Sequence, residues 1–146
     1  MQSCAFLPLT TEVATRLCRD ALGENARGRA TAVRRRAAEA EAAAERCWTA
    51  LLAGCDSAVR WELTPRLREL SEATSLYAGS RWWSTDGAVH RRRVASAQSH
   101  IEDAIADADG QEFARAFVGY DHAMASAVVC AHNPVRRPAE SVRRTR

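Results

Sequence analysis

The chain has 146 residues, of which 47% are hydrophobic, 27% are charged and 6% are aromatic. This length corresponds to about one domain. The small numbers of glycine (7) and proline (4) exclude a collagen-like or wholly disordered chain. All 21 basic residues are arginine. Because a phosphate loop of the Walker type needs a lysine, the composition also excludes that class of nucleotide-binding protein.

The start of the chain and its cysteines predict a cytoplasmic protein. No basic residue precedes the short apolar segment at residues 4–9, so a secretory signal is not expected. The uncharged stretch at residues 123–135 has 13 residues, and a membrane span needs about 20. An odd number of cysteines in a chain without a signal predicts free thiols in a reducing compartment. These cysteines are Cys4, Cys18, Cys47, Cys55 and Cys130.

Net charge separates the chain into two predicted parts. Residues 1–133 carry 16 arginines against 17 acidic residues, whereas residues 134–146 carry five arginines against Glu140. We predict a helical domain over 1–133 and a disordered basic tail over 134–146, because the tail has two prolines and no apolar periodicity. Such a tail either binds nucleic acid or an anionic surface, or serves only as a solvated terminus.

Capping residues, helix breakers and apolar stripes of 3.6-residue period predict an all-α, single-domain bundle of about five helices. The predicted helices cover residues 10–22 (from Thr10 or Thr11), 27–53, 64–79, 88–108 and 111–132. A short turn is expected through Trp61, and residues 80–87 are expected to form a loop. No segment alternates as a strand does, so helices packed on helices are the expected architecture.

The same stripes predict which side chains face the core. In the long second helix these are Val33, Ala37, Ala40, Ala44, Cys47 and Leu51. In the fourth they are Val94, Ala97, Ile101, Ile105 and Ala108, and in the fifth Phe113, Phe117, Tyr120, Met124 and Val128.

The second and fourth predicted helices carry their arginines first and their acidic residues last. This order opposes the helix macrodipole, which favours acidic residues at the N-terminus. Antiparallel packing of the two helices would explain the order, because it places each basic end beside an acidic end. A symmetric dimer across the fourth helix gives the same complementarity. Solvated charged faces, screened by salt, are the third explanation.

Residue spacing predicts no metal site and no cofactor. The sequence has no CxxC, HExxH or CxxCH motif. Cys130 and His132 are two residues apart and therefore point to different faces of a helix. His100, Asp103 and Asp107 share a face, but a solvated acidic face explains this set better than a metal ion does.

One pair of residues has the spacing of a catalytic motif. Arg93 and His100 are seven positions apart, about 700°, so they share one face of the fourth predicted helix. The pair resembles the Arg-x4-6-His signature of HEPN ribonucleases, all-α bundles that dimerise to build their active site. The resemblance implies that His100 acts as acid or base, or orients the 2′-hydroxyl, while Arg93 stabilises charge on the phosphoryl group. Val94 stands where that family usually has a polar residue.

Arginine clusters give the other functional signal. Residues 11–36 can form a helix-turn-helix with an arginine-rich second helix. Trp82 and Trp83, beside Arg81, can stack on bases, or can anchor a loop with one ring buried and the other half-exposed. The candidate nucleic-acid-binding residues are Arg34, Arg35, Arg36, Arg91, Arg92, Arg93, Arg136, Arg137, Arg143, Arg144 and Arg146.

The length, the alanine- and arginine-rich composition and the segments 95–105 and 117–122 resemble the small spread proteins of streptomycete conjugative plasmids. The resemblance extends over most of the chain. It implies a non-enzymatic accessory role in plasmid transfer alongside a DNA-translocating ATPase, through binding to plasmid DNA, to another transfer protein or to a second copy of the chain. The alternatives are a HEPN-like ribonuclease or toxin-type domain, and a small DNA-binding regulator.

Overall fold

The computed structural model describes residues 5–54 and 58–132. Within these ranges it contains six α-helices and one short 3-10 helix, Ala58–Trp61, and no strand. The α-helices are α1 (Pro8–Asp20), α2 (Glu24–Ala53), α3 (Leu63–Ala78), α4 (Ser80–Ser84), α5 (Ala88–Ala106) and α6 (Gly110–His132). The predicted all-α bundle is confirmed.

Two antiparallel helix pairs, together with α1, form the bundle. α2 runs antiparallel to α3, since Arg36 of α2 lies 3.7 Å from Glu69 of α3, and Arg46, further along α2, lies 3.4 Å from Glu62, just before α3. α5 and α6 form the second antiparallel pair, and α1 packs on both α2 and α6. α6 contacts α1, α2, α3 and α5, which leaves it only a narrow exposed face.

The first of the three explanations for the charge order, antiparallel packing of the two long helices on each other, is wrong. α2 packs mainly on α1 and α3, and α5 packs mainly on α6. Arg60, which follows α2, donates a hydrogen bond to the carbonyl of Ile105 in the last turn of α5. The C-terminal ends of α2 and α5 therefore lie at the same end of the bundle, and the two helices run in the same direction. An apolar stripe specifies which face of a helix is buried but not which helix covers it.

The core follows the predicted stripes closely in the two most buried helices. All six residues predicted to face inward from α2 are buried, and so are all five predicted from α6. Phe6, Trp48, Phe113 and Phe117 form an aromatic cluster with ring centroids between 5.1 and 6.1 Å apart. Tilted and edge-on rings at such distances stabilise a core beyond the area they bury.

The predicted start of α1 at residue 10 or 11 is wrong, because side chains from other helices cap it. Pro8 occupies the first helical turn, and no side chain from the preceding residue caps it. The backbone N–H groups of Leu9 and Thr10 donate to the carboxylate of Asp121 at 2.9 and 2.8 Å. Glu41 accepts the N–H groups of the two residues before Pro8. These two carboxylates pair with the free N–H groups at the helix N-terminus and complement its dipole.

Two further expectations fail near the turns. Residues 80–84 of the expected loop form α4 instead. Trp83 is buried, and Trp82 covers Gly87 so closely that a Cβ atom there would lie 2.4 Å from the ring. Ala108 is exposed rather than inward-facing, because α5 ends at Ala106 and Ala108 takes a φ of 53° in the turn to α6.

Candidate functional site

The shared direction of α2 and α5 brings their arginine clusters to one end of the bundle. We divide the bundle at the ion pair of Arg36 with Glu69 and at the level of Ala97 of α5 and His122 of α6, which line one groove. The basic end comprises residues 10–36, 69–97 and 122–132, and the acidic end comprises residues 5–9, 37–54, 58–68 and 98–121. The basic end carries eleven arginines and six carboxylates, whereas the acidic end carries five arginines and ten carboxylates. Excess positive charge therefore lies at one end of the bundle, and excess negative charge lies at the other.

The arginines of α2 differ in what they face. Arg34 and Arg35 are exposed. Arg36 turns toward α3, where its guanidinium lies 2.8 Å from the carboxylate of Glu39 and 3.7 Å from that of Glu69. The hydrogen bond to Glu39 raises the pKa of Arg36, and it lowers the pKa of Glu39. Arg34 and Arg35 are therefore better placed than Arg36 to contact an external anion.

The arginines of α5 divide in the same way. Arg91 is half-buried, and its Nε donates to the backbone carbonyl of Trp83 at 3.1 Å. This bond holds α4 against α5, so Arg91 has a structural role. Arg92 and Arg93 are exposed.

Five more exposed arginines lie at the basic end outside the predicted set, and they are Arg16, Arg19, Arg27, Arg29 and Arg81. Arg27 and Arg29 flank Gly28 in the first turns of α2, where an added Cβ would meet no atom within 4 Å. In the sequence, the triplet Arg-Gly-Arg at residues 27–29 is the signal that could have identified these two arginines. Its place at the same end of the bundle as the α5 cluster depends on the helix directions, which the sequence pattern does not specify.

Trp82 and Trp83 match the prediction of an anchor with one buried and one half-exposed ring. Trp83 is 8% exposed, and the centroid of Trp82 lies 6.5 Å away. Trp82 also stacks on His90, with centroids 6.1 Å apart and an interplanar angle of 15°. Burial, followed by the charge of Arg93, lowers the pKa of His90. The pair of tryptophans thus fixes α4 to the first turn of α5.

A groove between α5 and α6 brings Arg93 and His100 together, as their spacing predicts. The groove has a volume of about 330 Å³, and its lining includes Ser96, His122 and Ser126. Sequence reasoning missed His122 because it comes from a different helix. An arginine, two imidazoles and two hydroxyls on one groove can bind a phosphate and can supply both an acid and a base.

The cysteines in the described part of the chain are free thiols. Cys47 is buried, its Sγ donates to a backbone carbonyl at 3.4 Å, and burial raises its pKa to about 11. A thiol with so high a pKa is a poor nucleophile. Cys18 is half-buried and Cys130 is exposed, while Cys4 and Cys55 lie outside the described residues.

The remaining predictions concern metal ions, the membrane and the basic tail. Among the described residues, no group of three or more His, Cys, Asp or Glu side chains could hold a metal ion. No helix in this part of the chain is both long and apolar enough to cross a membrane.

The predicted tail and its arginines, Arg136, Arg137, Arg143, Arg144 and Arg146, lie outside the described residues. The tail follows His132, whose Nδ1 lies 3.0 Å from the hydroxyl of Tyr77 at the basic end.

Comparison with known proteins identifies no relative. No family model, curated protein or solved structure matches this chain. The resemblances to plasmid spread proteins and to HEPN ribonucleases therefore stay predictions.

Proposed function

We propose that this protein binds an anionic polymer, DNA in the first place, through the basic end of its bundle, and that it acts by binding rather than by catalysis. The observation that carries the proposal is the charge separation: eleven arginines and six carboxylates at one end, and five arginines and ten carboxylates at the other. Arginine side chains that meet phosphates release counterions, and this release supplies most non-specific affinity for nucleic acid. An accessory role in plasmid transfer is the biological setting that the sequence resemblance suggests.

The charge separation also determines how the protein would approach DNA. The acidic end repels a phosphate backbone, so the long-range field turns the basic end toward it before contact. Arg34 and Arg35 lie on the outer face of α2, and Arg92 lies on α5. These side chains sit on different sides of the same end. Their contacts therefore go to phosphates along the DNA rather than to one base pair, which favours binding with little sequence preference.

A matched pair of triple variants tests the proposal. Replacing Arg34, Arg35 and Arg92 with alanine removes three exposed charges from the basic end. In fluorescence-anisotropy titrations with random duplex DNA at several salt concentrations, the slope of log K against log salt should flatten by up to about 2.7, at about 0.9 per lost phosphate contact.

The control replaces three exposed arginines of the acidic end, Arg46, Arg68 and Arg115, with alanine. It removes the same charge, yet affinity and slope should stay close to those of the unmodified chain. If the two triple variants lose affinity equally, binding follows net charge alone and the basic end is not a site.

The predicted tail follows the C-terminal end of α6 in the sequence and carries a second set of candidate phosphate contacts. Replacing its arginines, Arg136, Arg137, Arg143, Arg144 and Arg146, with alanine in the full chain should flatten the salt slope by up to about 4.5 if every one contacts phosphate. If the slope is unchanged, the tail serves solubility, and the bundle arginines must supply the binding.

The α5–α6 groove supports a second candidate function, metal-independent RNA cleavage. One imidazole of the pair His100 and His122 would take the proton of the 2′-hydroxyl, whose oxygen attacks the phosphorus. The other would give a proton to the departing 5′-oxygen, and Arg93 would stabilise the charge that develops on the phosphoryl oxygens. Incubation with RNA in the presence of a chelator tests this candidate. Cleavage that is lost in both His100→Ala and His122→Ala, but kept in the His132→Ala control, would establish it.

A further inference from the structure

Beyond the exposed ion pair of Glu112 and Arg115, the outer face of α6 over residues 118–130 carries exposed apolar surface and no exposed arginine or carboxylate. Val118 is 63% exposed and Val129 is 42% exposed. Across residues 118–130, all of which the structure describes, the one carboxylate is Asp121, which is 3% exposed and bonded to α1. Grooves of about 270 and 330 Å³ flank His122 on the α1 side and the α5 side. An uncharged face of this kind on a folded chain is typical of a protein–protein contact surface.

Gly119, at the middle of this face, adds a second observation. Glycine inside a helix is less favourable than alanine. An added Cβ at Gly119 would meet no atom within 4 Å, so no contact in the described part of the chain requires a glycine there. A missing side chain on an exposed helix face lets a second helix approach closely.

The neighbouring face of α5 carries a stripe of charge that is complementary to itself. Arg93, Ser96, His100, Asp103 and Asp107 recur every three or four residues and therefore line one side of the helix. Arg93, Ser96 and His100 border the groove with α6, and the two acidic residues continue the stripe toward the acidic end. The arginine comes first and the acidic residues come last, so two such stripes attract each other only when they lie antiparallel.

We propose that a second copy of the chain covers this face, with a two-fold axis perpendicular to α6 that passes near His100 and Gly119. This symmetry sets α6 against the partner's α6 and α5 against the partner's α5, both antiparallel. Arg93 then lies beside the partner's Asp103 or the partner's Asp107, and the symmetry repeats the contact. The parallel arrangement is disfavoured, because it places two basic ends side by side.

The dimer and the proposed DNA binding share Arg92 and Arg93 of α5, but the arginines of α2 belong to the DNA-binding surface alone. Arg34 and Arg35 lie on α2, which packs on the opposite side of α6 from this face. Both copies would keep these arginines exposed, so an antiparallel dimer would present two α2 clusters at its two ends. A dimer that does not bind DNA would support the dimer alone, and a monomer that binds DNA would support the DNA-binding proposal alone.

Sedimentation velocity of the full chain at low salt and high micromolar concentration tests the dimer. We expect a species of twice the 16.0 kDa chain mass. His122→Arg should convert it to monomer, because the symmetry brings two like charges together. Thr49→Arg adds the same charge at an exposed position of α2 and should leave the dimer intact. A monomer of the unmodified chain under these conditions, or a dimer that survives His122→Arg, would overturn the proposal.

Charge reversal along α5 tests the antiparallel orientation. Arg92→Asp with Arg93→Asp should dissociate the dimer, and so should Asp103→Arg with Asp107→Arg. The quadruple variant restores a self-complementary stripe and should restore the dimer. Its charges also follow the helix dipole, so α5 should remain folded, which far-ultraviolet circular dichroism would check. Failure of the quadruple variant to dimerise while it stays helical would exclude the antiparallel arrangement.

Discussion

The acidic and basic ends of the bundle differ in what their residues do. The acidic end contains the aromatic cluster of Phe6, Trp48, Phe113 and Phe117, and the α1 cap made by Asp121 lies at its border. The basic end holds the smaller part of the main core, including Val33, Leu70, Val94 and Met124, and a separate small cluster of three buried residues, which are Leu17, Ala30 and Val128. Its surface carries most of the exposed arginine. The difference indicates that the acidic end supplies most of the stability, whereas the basic end supplies the binding surface.

Core substitutions at the two ends should give the largest difference. Phe113 is fully buried among three aromatic rings, so Phe113→Ala should lower the free energy of unfolding by about 4 kcal/mol. Leu17→Ala in the small cluster should lower it by about 2 kcal/mol, because fewer groups pack around that side chain. Urea unfolding followed by circular dichroism measures both. Equal losses would show that stability is spread evenly along the bundle.

The cap of α1 should give the next largest effect. The carboxylate of Asp121 accepts two backbone N–H groups and the hydroxyl of Thr10, so Asp121→Ala should cost about 3 kcal/mol of stability. Asp121→Asn keeps one acceptor and should cost less. Asp20→Ala removes an exposed carboxylate from the other end of α1 and should change stability by less than about 0.5 kcal/mol. If Asp121→Ala were as mild as Asp20→Ala, the cap would not determine where α1 begins.

A smaller effect is expected from pH at the basic end. His90 has a lowered pKa in the folded chain, so the unfolded chain takes up a proton first as the pH falls. The neutral imidazole therefore contributes stability that is present above about pH 6.5 and is lost below it. His90→Phe keeps a ring against Trp82 but cannot titrate, so its stability should fall less between about pH 7 and pH 5. Urea midpoints at the two pH values check this, and identical losses would rule out a role for His90.

Local patterns predicted the helices well and their arrangement poorly. The inward residues of α2 and α6 followed from the 3.6-residue period, because burial of one face is a property of the helix itself. The start of α1 could not be predicted, since its cap, Asp121, is 112 residues away from Leu9 in the chain. α4 has only five residues, and the packing of Trp82 on Gly87 together with the burial of Trp83 stabilises it where propensity alone favours a loop.

For the candidate site too, the sequence predicted what lies within one helix but not what two helices bring together. The spacing of Arg93 and His100 correctly predicted a shared face, but His122 enters the groove from α6, and no local pattern relates the two helices. The charge order in the two long helices was visible in the sequence. The effect of this order on the charge distribution of the bundle depends on whether α2 and α5 run in the same or in opposite directions. Antiparallel packing would have cancelled the charges, whereas the same direction separates them into two ends.

Chemical-shift mapping by NMR with a short random DNA duplex tests the central claim most directly. With isotope-labelled full chain at low salt, we expect the largest amide shifts in the first turns of α2 around Arg27 and Arg34 and in the first turns of α5 around Arg92. The acidic end, including Glu102 to Asp109, should remain unshifted and should serve as the internal reference. Shifts that concentrate at the acidic end, or that spread evenly over both ends, would contradict the claim that charge separation along the bundle creates the binding surface.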